Sequence, residues 1–264
     1  MRTDIEFWQA ALSTVLIVIV VGVSLWRRLG LERSVIWAAL RATIQLLAVG
    51  LFFTVIFDSR FSQVWAALWV AAMVVISGVV VGRRTGATRD MVAVGLVAIG
   101  ATVLVVLVVI FGVGVLEFDS VSVVVIAGIT IGNTLPTVVQ AVERTRTHLR
   151  DSIGQIEAML ALGFDAREST RRVVHDVARL ALIPQIERTK VVGLIALPGA
   201  MTGLLLAGVD PLDAVLIQLV VMFLVLGAVA LSVIIVTLSL TNRALTVDLR
   251  LAEWVRSLSA VSGH

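Results

Sequence analysis

The residues that could do chemistry in this 264-residue chain are few, and most of them are neutral. Its apolar runs carry Arg41, Gln45, Asn133, Thr134, Met201, Thr202 and Met222 among their polar or soft groups, and no Asp, Glu, His or Cys lies deep in any run. A tight transition-metal site needs carboxylate, imidazole or thiolate ligands. Met201 and Met222 are the only soft candidates, so the residues assign no metal site. Proton-coupled carriers commonly use ionisable side chains inside the membrane, and their absence argues against that mechanism. Cysteine is absent, which removes disulfides, thiolate ligands and a cysteine nucleophile. No G-x-x-x-x-G-K-[ST] phosphate loop occurs, and the sole lysine, Lys190, follows Thr189 outside any glycine-rich loop. The chain is therefore expected to be no enzyme, to hold no cofactor and to hydrolyse no ATP itself.

The elements that must position these groups are membrane spans. The chain is 59% hydrophobic and 15% charged, with a mean hydropathy of +1.06, where a soluble domain carries roughly 25% charge. Apolar runs of ~20 residues can cross a hydrocarbon core of about 30 Å as helices that satisfy their own backbone hydrogen bonds. Seven such runs can be read: Phe7–Trp26, Val35–Phe57, Phe61–Val81, Met91–Val115, Val121–Val142, Val191–Val209 and Ala214–Leu240. The expected fold is an all-α, polytopic membrane protein of one permease-like domain. The first run reads as a retained span: its apolar core is too long for a signal peptide, and Arg27-Arg28 follow it.

Orientation follows from the basic residues. Eighteen of the 21 Lys and Arg fall in alternate connections, together with the stretch 143–190 and the tail 241–264. The other connections hold Arg2 and Arg60 among many acids. The positive-inside rule then puts the N-terminus outside and the C-terminus inside a plasma or inner membrane. The net charge of +3 points to no nucleic acid, because the arginines sort by membrane side and gather on no face.

Within the runs, Arg41 and Gln45 lie one helical turn apart. Arg41 either snorkels to the nearby cytoplasmic end or contacts another span. Pro136 and Pro198 free backbone carbonyls, and such breaks survive where backbone lines a cavity or packs on protein. Gly199 and Gly203 form a GxxxG pair, read as helix packing before ligand contact. Asn133 and Thr202 are read as pathway residues.

The stretch 143–190 is the one long polar segment. Two short helices can be placed in it. In the first, spanning 153–162, Ser152 is an N-cap with Gln155 in the capping-box position, and Gly163 is a left-handed C-terminal residue. Ile153, Ile156, Met159 and Leu160 form its apolar arc; Gly154, Ala158 and Ala161 form a small-residue side. The second helix opens on Asp165, with Glu168 in the box position, and Pro184 stops or kinks it. Two readings stand: amphipathic helices resting on the membrane, or a docking element for a soluble partner. Beyond the last run, Leu249, Leu251, Trp254 and Val255 suggest a short interfacial or packed helix.

A resemblance bears on that choice. Glu157-Ala-Met-Leu-Ala-Leu-Gly163 resembles the E-A-A-x-x-x-G loop by which ABC-transporter permeases contact their ATPase. Met159 departs from the motif, and Ile183-Pro184 lies further from the glycine than in importers. Arg41-Ala-Thr-Ile-Gln45-Leu, Ala127-Gly128 with Ile131-Gly132-Asn133, Ala181-Leu-Ile-Pro184, Leu197-Pro-Gly-Ala-Met-Thr-Gly203, Ala207-Gly-Val-Asp-Pro211 and Gln218 are similar to the FetB-type permease family. That family comprises iron-export and metal-resistance permeases, with plant relatives linked to aluminium tolerance. The resemblance implies a permease subunit exporting iron or another metal, two copies of which work with two separate ABC ATPase subunits. It implies ATPase docking through Ile153, Ile156, Glu157, Ala158, Met159, Leu160 and Gly163. Arg41, Gln45, Asn133, Thr134, Pro198, Met201, Thr202 and Gln218 become candidates for the translocation pathway. A stand-alone carrier or channel and a seven-span sensor are the alternative readings.

Overall fold

The computed structural model describes residues 14–57, 60–86, 89–246, 248, 250–252 and 254–255. Nine helices occur among them: α1 (Val15–Arg27), α2 (Glu32–Phe57), α3 (Ser62–Arg84), α4 (Arg89–Gly112), α5 (Ser120–Asp151), α6 (Ile153–Ala161), α7 (Ala166–Lys190), α8 (Gly199–Leu206) and α9 (Pro211–Ala244). The first part of the run Phe7–Trp26 lies outside the described residues, as do Leu249 and the tail from Arg256.

Five of these helices, α2, α3, α4, α5 and α9, are long and apolar enough to cross a membrane. Local chemistry fixes their starts. Asp119 caps α5 by accepting from the Ser122 N–H, and Asp210 caps α9 by accepting from the Leu212 N–H. Pro211 then occupies the first turn of α9, where a missing N–H costs nothing. Both caps satisfy donors that a helix start leaves orphaned.

The core is built from α3, α4, α5 and α9, with α7 packed into it. Val70, Val81, Val94, Ile99, Val138, Val142 and Val236 are among its buried side chains. Close approach of α3 and α4 rests on glycine. A Cβ on Gly78 would stand 2.5 Å from Leu96 Cγ, and one on Gly95 would stand 2.8 Å from Val81 Cβ. On Gly82 it would overlap Val92 Cγ2. This Gly78–Gly82 pair is the small-xxx-small contact of the fold. Gly199 and Gly203, expected to pack, meet nothing within 4 Å in the chain.

Six buried threonine hydroxyls are settled within their own helices. Thr102, Thr130, Thr134, Thr145, Thr237 and Thr241 each donate to a carbonyl four residues earlier. Such back-bonding lets a polar residue sit in an apolar bundle without an unpaired donor.

One end of the bundle is basic. The ends of α3, α4, α5 and α9 that carry Arg84, Arg89, Arg146 and Arg243 meet there. Arg146 Nη1 donates to the Thr85 carbonyl at the α3–α4 turn, and Arg243 lies 3.6 Å from Asp90. The α1–α2 hairpin stands to one side, held by a Ser24–Glu32 hydrogen bond of 2.8 Å and by a tilted ring contact of Phe52 with Trp69 of α3, centroids 4.6 Å apart.

The sixth run departs from expectation. Val191–Pro198 is not helical, and only Gly199–Leu206 of the run Val191–Val209 forms a helix. Nor does Pro184 end α7, which continues to Lys190. Ala181 lies in the core with Val138 and Val233, and Leu182 packs against the cluster of Ile126, Val225 and Val229. The stretch 143–190 is therefore no separate loop. Its first residues extend α5 to Asp151, and Ala181 and Leu182 near its end pack into the core.

Candidate functional site

Two sites follow from this arrangement. The first is the surface of α6 at the basic end. Its C-terminus forms a Schellman motif: Gly163, at φ +90°, donates to Leu160 O, and Phe164 donates to Met159 O. Asp165 caps α7 by accepting from the Glu168 N–H at 2.7 Å, as its position predicts. Ser152 makes no side-chain capping bond to α6; its backbone, at φ −104° and ψ 7°, lacks the extended conformation of a capping residue, and its N–H continues the last turn of α5 onto His148 O.

The apolar arc of α6 faces inward. Ile156 is 1% exposed and belongs to a cluster with Leu149 of α5, Val173 and Val177 of α7, and Leu251 and Val255 of the tail. Ile153 and Leu160 pack on the same cluster, and Met159 is half-buried. Of the docking candidates, Glu157, Ala158 and Gly163 are thus exposed and the four apolar ones are turned away from solvent. The open face is Gly154, Glu157, Ala158 and Ala161, extended by Leu162, which is 77% exposed, and by Phe164. Amphipathic spacing identified the apolar face but could not say that the chain itself covers it.

The second site is a cavity of about 330 Å³ between α5, α7, α9 and the irregular segment before α8. Asn133, Pro198 and Gln218 line it, together with Gln185, Arg188, Thr189 and Met222. At 1.5 Å per residue, Asn133 stands about 20 Å along α5 from Ser120, and Gln218 about 10 Å along α9 from Pro211. The cavity therefore sits within the depth of the apolar helices. Gln218 is 9% exposed, and its Oε1 accepts from the Met201 N–H at 3.3 Å, which ties α8 to α9. Asn133 Nδ2 donates to Ile129 O at 2.8 Å, leaving the amide oxygen toward the lining. Thr189 returns its hydroxyl to Gln185 O.

The remaining pathway candidates fall elsewhere. Thr134 is fully buried with its hydroxyl on Thr130 O. Thr202 donates to Pro198 O, and Met201 contributes its backbone N–H. Arg41 and Gln45 are exposed on α2, whose main neighbours are α1 and α3. Gln185, Arg188 and Thr189 were missed because they lie in the charged stretch 143–190, away from the apolar runs searched for pathway residues. The signal that could have found them is the apolar run Leu180–Ile183 before Pro184. Among the described residues, no group of three or more His, Cys, Asp or Glu could hold a metal ion.

Five long apolar helices, two of which border a small polar cavity with α7, define a multi-pass helical membrane protein. The chain belongs to the family UPF0014, described as an uncharacterised protein family, whose model matches residues 7–245. It is 34% identical over 225 residues to the UPF0014 membrane protein STAR2 of rice (Oryza sativa subsp. japonica), covering 85% of this chain and 79% of that protein. It is 31% identical over 224 residues to the protein ALUMINUM SENSITIVE 3 of Arabidopsis thaliana, covering 84% and 81% respectively. It is also 31% identical over 225 residues to the probable iron export permease protein FetB of Escherichia coli, covering 85% and 86%. No solved structure gives a significant match.

Proposed function

We propose that this chain is the membrane-spanning subunit of an ABC-type transporter, driven by ATP hydrolysis in a separate ATPase subunit. Two copies of the chain work with two ATPases in a plasma or inner membrane, the N-terminus outside and the basic end of the bundle in the cytoplasm. The observation that carries this reading is how α6 is held. One side is locked to α5 and α7 through Ile156 and Leu160, and the other is a bare strip of small residues around Ala158. A groove on a partner can approach such a strip closely. Movement of the partner is then passed to two helices that border the polar cavity.

Iron or another metal is the proposed cargo, and export the proposed direction. Both rest on the name of the Escherichia coli relative and on the FetB-type resemblance. Reconstitution of this chain into liposomes with and without a candidate ATPase tests the proposal. Metal movement that requires ATP and both chains is expected. Transport by this chain alone would overturn it in favour of a carrier or channel.

A further inference from the structure

We infer that the cavity between α5, α7 and α9 binds an anionic, oxygen-bearing solute, so that any metal passing through it travels as an anionic chelate and not as a bare cation. The inference deepens the transport reading by assigning a charge to the cargo, and rests on that reading only for the solute being moved.

Arg188 supplies the one formal charge in the lining. Arginine stays protonated and presents several donors in a planar fork suited to carboxylate and phosphate oxygens. Among the described residues, no carboxylate lies within ion-pair distance of it. Neighbouring Glu187 is taken instead by Lys190, at 2.8 Å. The other polar lining groups are neutral: the amides of Asn133, Gln185 and Gln218 and the hydroxyl of Thr189. Gln218 is oriented by the Met201 N–H onto its oxygen, so its NH₂ group is the part left to serve as a donor.

A bare divalent cation would meet no carboxylate there and would be repelled by the guanidinium. An anion meets a positive charge on α7 with the free NH₂ of Gln218 on α9 as a further donor. Arg188 is exposed and stands at the rim of this cavity, where its charge can reach a bound anion.

The test uses the full chain, purified into lipid nanodiscs in a fixed chloride background. Binding of citrate, pyrophosphate, inorganic phosphate and Mn²⁺ is measured by calorimetry. Saturable binding of at least one of the anions is expected, with no saturable binding of Mn²⁺. Arg188→Gln should weaken the anion about tenfold or more, and Arg188→Lys by less. Both variants are checked for the unliganded melting temperature of the parent; if Arg188→Gln does not fold, Arg188→Lys with Gln218→Leu replaces it. Absence of saturable anion binding, an affinity unchanged in the variants, or tighter binding of Mn²⁺ overturns the inference. Anion binding that survives while no ATPase associates would count against the docking reading alone.

Discussion

Arg144 Nη1 donates to the carbonyl oxygen of Leu180 at 3.1 Å, the carbonyl in α7 that Pro184 leaves without a donor four residues on. Proline has no N–H, so a helix running through it orphans one acceptor. Here a side chain from α5 fills the gap. The bond ties the two helices at the level where α7 enters the core, and it explains why Pro184 interrupts neither the helix nor the packing.

The first prediction is a coupling between these positions. Arg144→Met should destabilise the protein by about 0.5–1.5 kcal/mol, since an exposed acceptor without an intrahelical donor loses a charged one. In a Pro184→Ala background the backbone N–H returns, and the same change should cost under about 0.5 kcal/mol. Thermal melting of the four proteins in detergent measures the cycle; equal costs in both backgrounds would disprove the pairing.

The second prediction separates docking from folding on α6. Ala158→Trp adds bulk to an exposed position and should change stability by under about 0.5 kcal/mol, yet abolish co-purification with the ATPase. Ile156→Asp places a charge in a sealed cluster and should cost about 3 kcal/mol or more. It would therefore lose the ATPase through local unfolding. If Ala158→Trp still pulls down the ATPase at parental yield, this face of α6 is not the contact.

The third concerns glycine. Gly82→Ala should cost about 1–3 kcal/mol, because its Cβ meets Val92 and the backbone offers little retreat. Gly203→Ala meets nothing in the chain and should leave the fold unchanged. Parallel unfolding curves decide between them, and equal midpoints would refute the α3–α4 contact.

The fourth concerns the tail. Leu251 is 4% exposed and covers Ile156 and Val177 with Val255, while Trp254 Nε1 donates to Arg243 O at 3.2 Å. Leu251→Ala should cost about 2–3 kcal/mol and speed limited proteolysis after residue 244. Unaltered cleavage would mean that the tail does not seal the cluster.

Much of the site was legible residue by residue. Gly163 was placed by its type and spacing, and adopts the left-handed conformation that closes α6. Asp165 was placed the same way and caps α7. Asn133, Pro198 and Gln218, separated by up to 85 positions, do line one cavity. Arg41 and Gln45 do not join them, because α2 packs at the periphery. Ser152 makes no cap because α5 runs almost without pause into α6, and its backbone keeps φ −104° and ψ 7° in place of the extended conformation a cap needs.

The sequence by itself determined that this is a helical membrane protein, because long apolar runs must hydrogen-bond internally wherever water is excluded. It also determined helix ends such as Asp165 and Gly163, whose chemistry is complete within four residues. Which side of α6 is open is a matter of tertiary packing, as is the burial of Ala181 of α7 against Val138 and Val233. Ile156 is covered by Leu251 and Val255, far away in the chain. Arg188, though exposed, borders the same cavity as Asn133 and Gln218, which lie on other helices. Composition counts polar residues along a segment; burial depends on what distant helices place against each face.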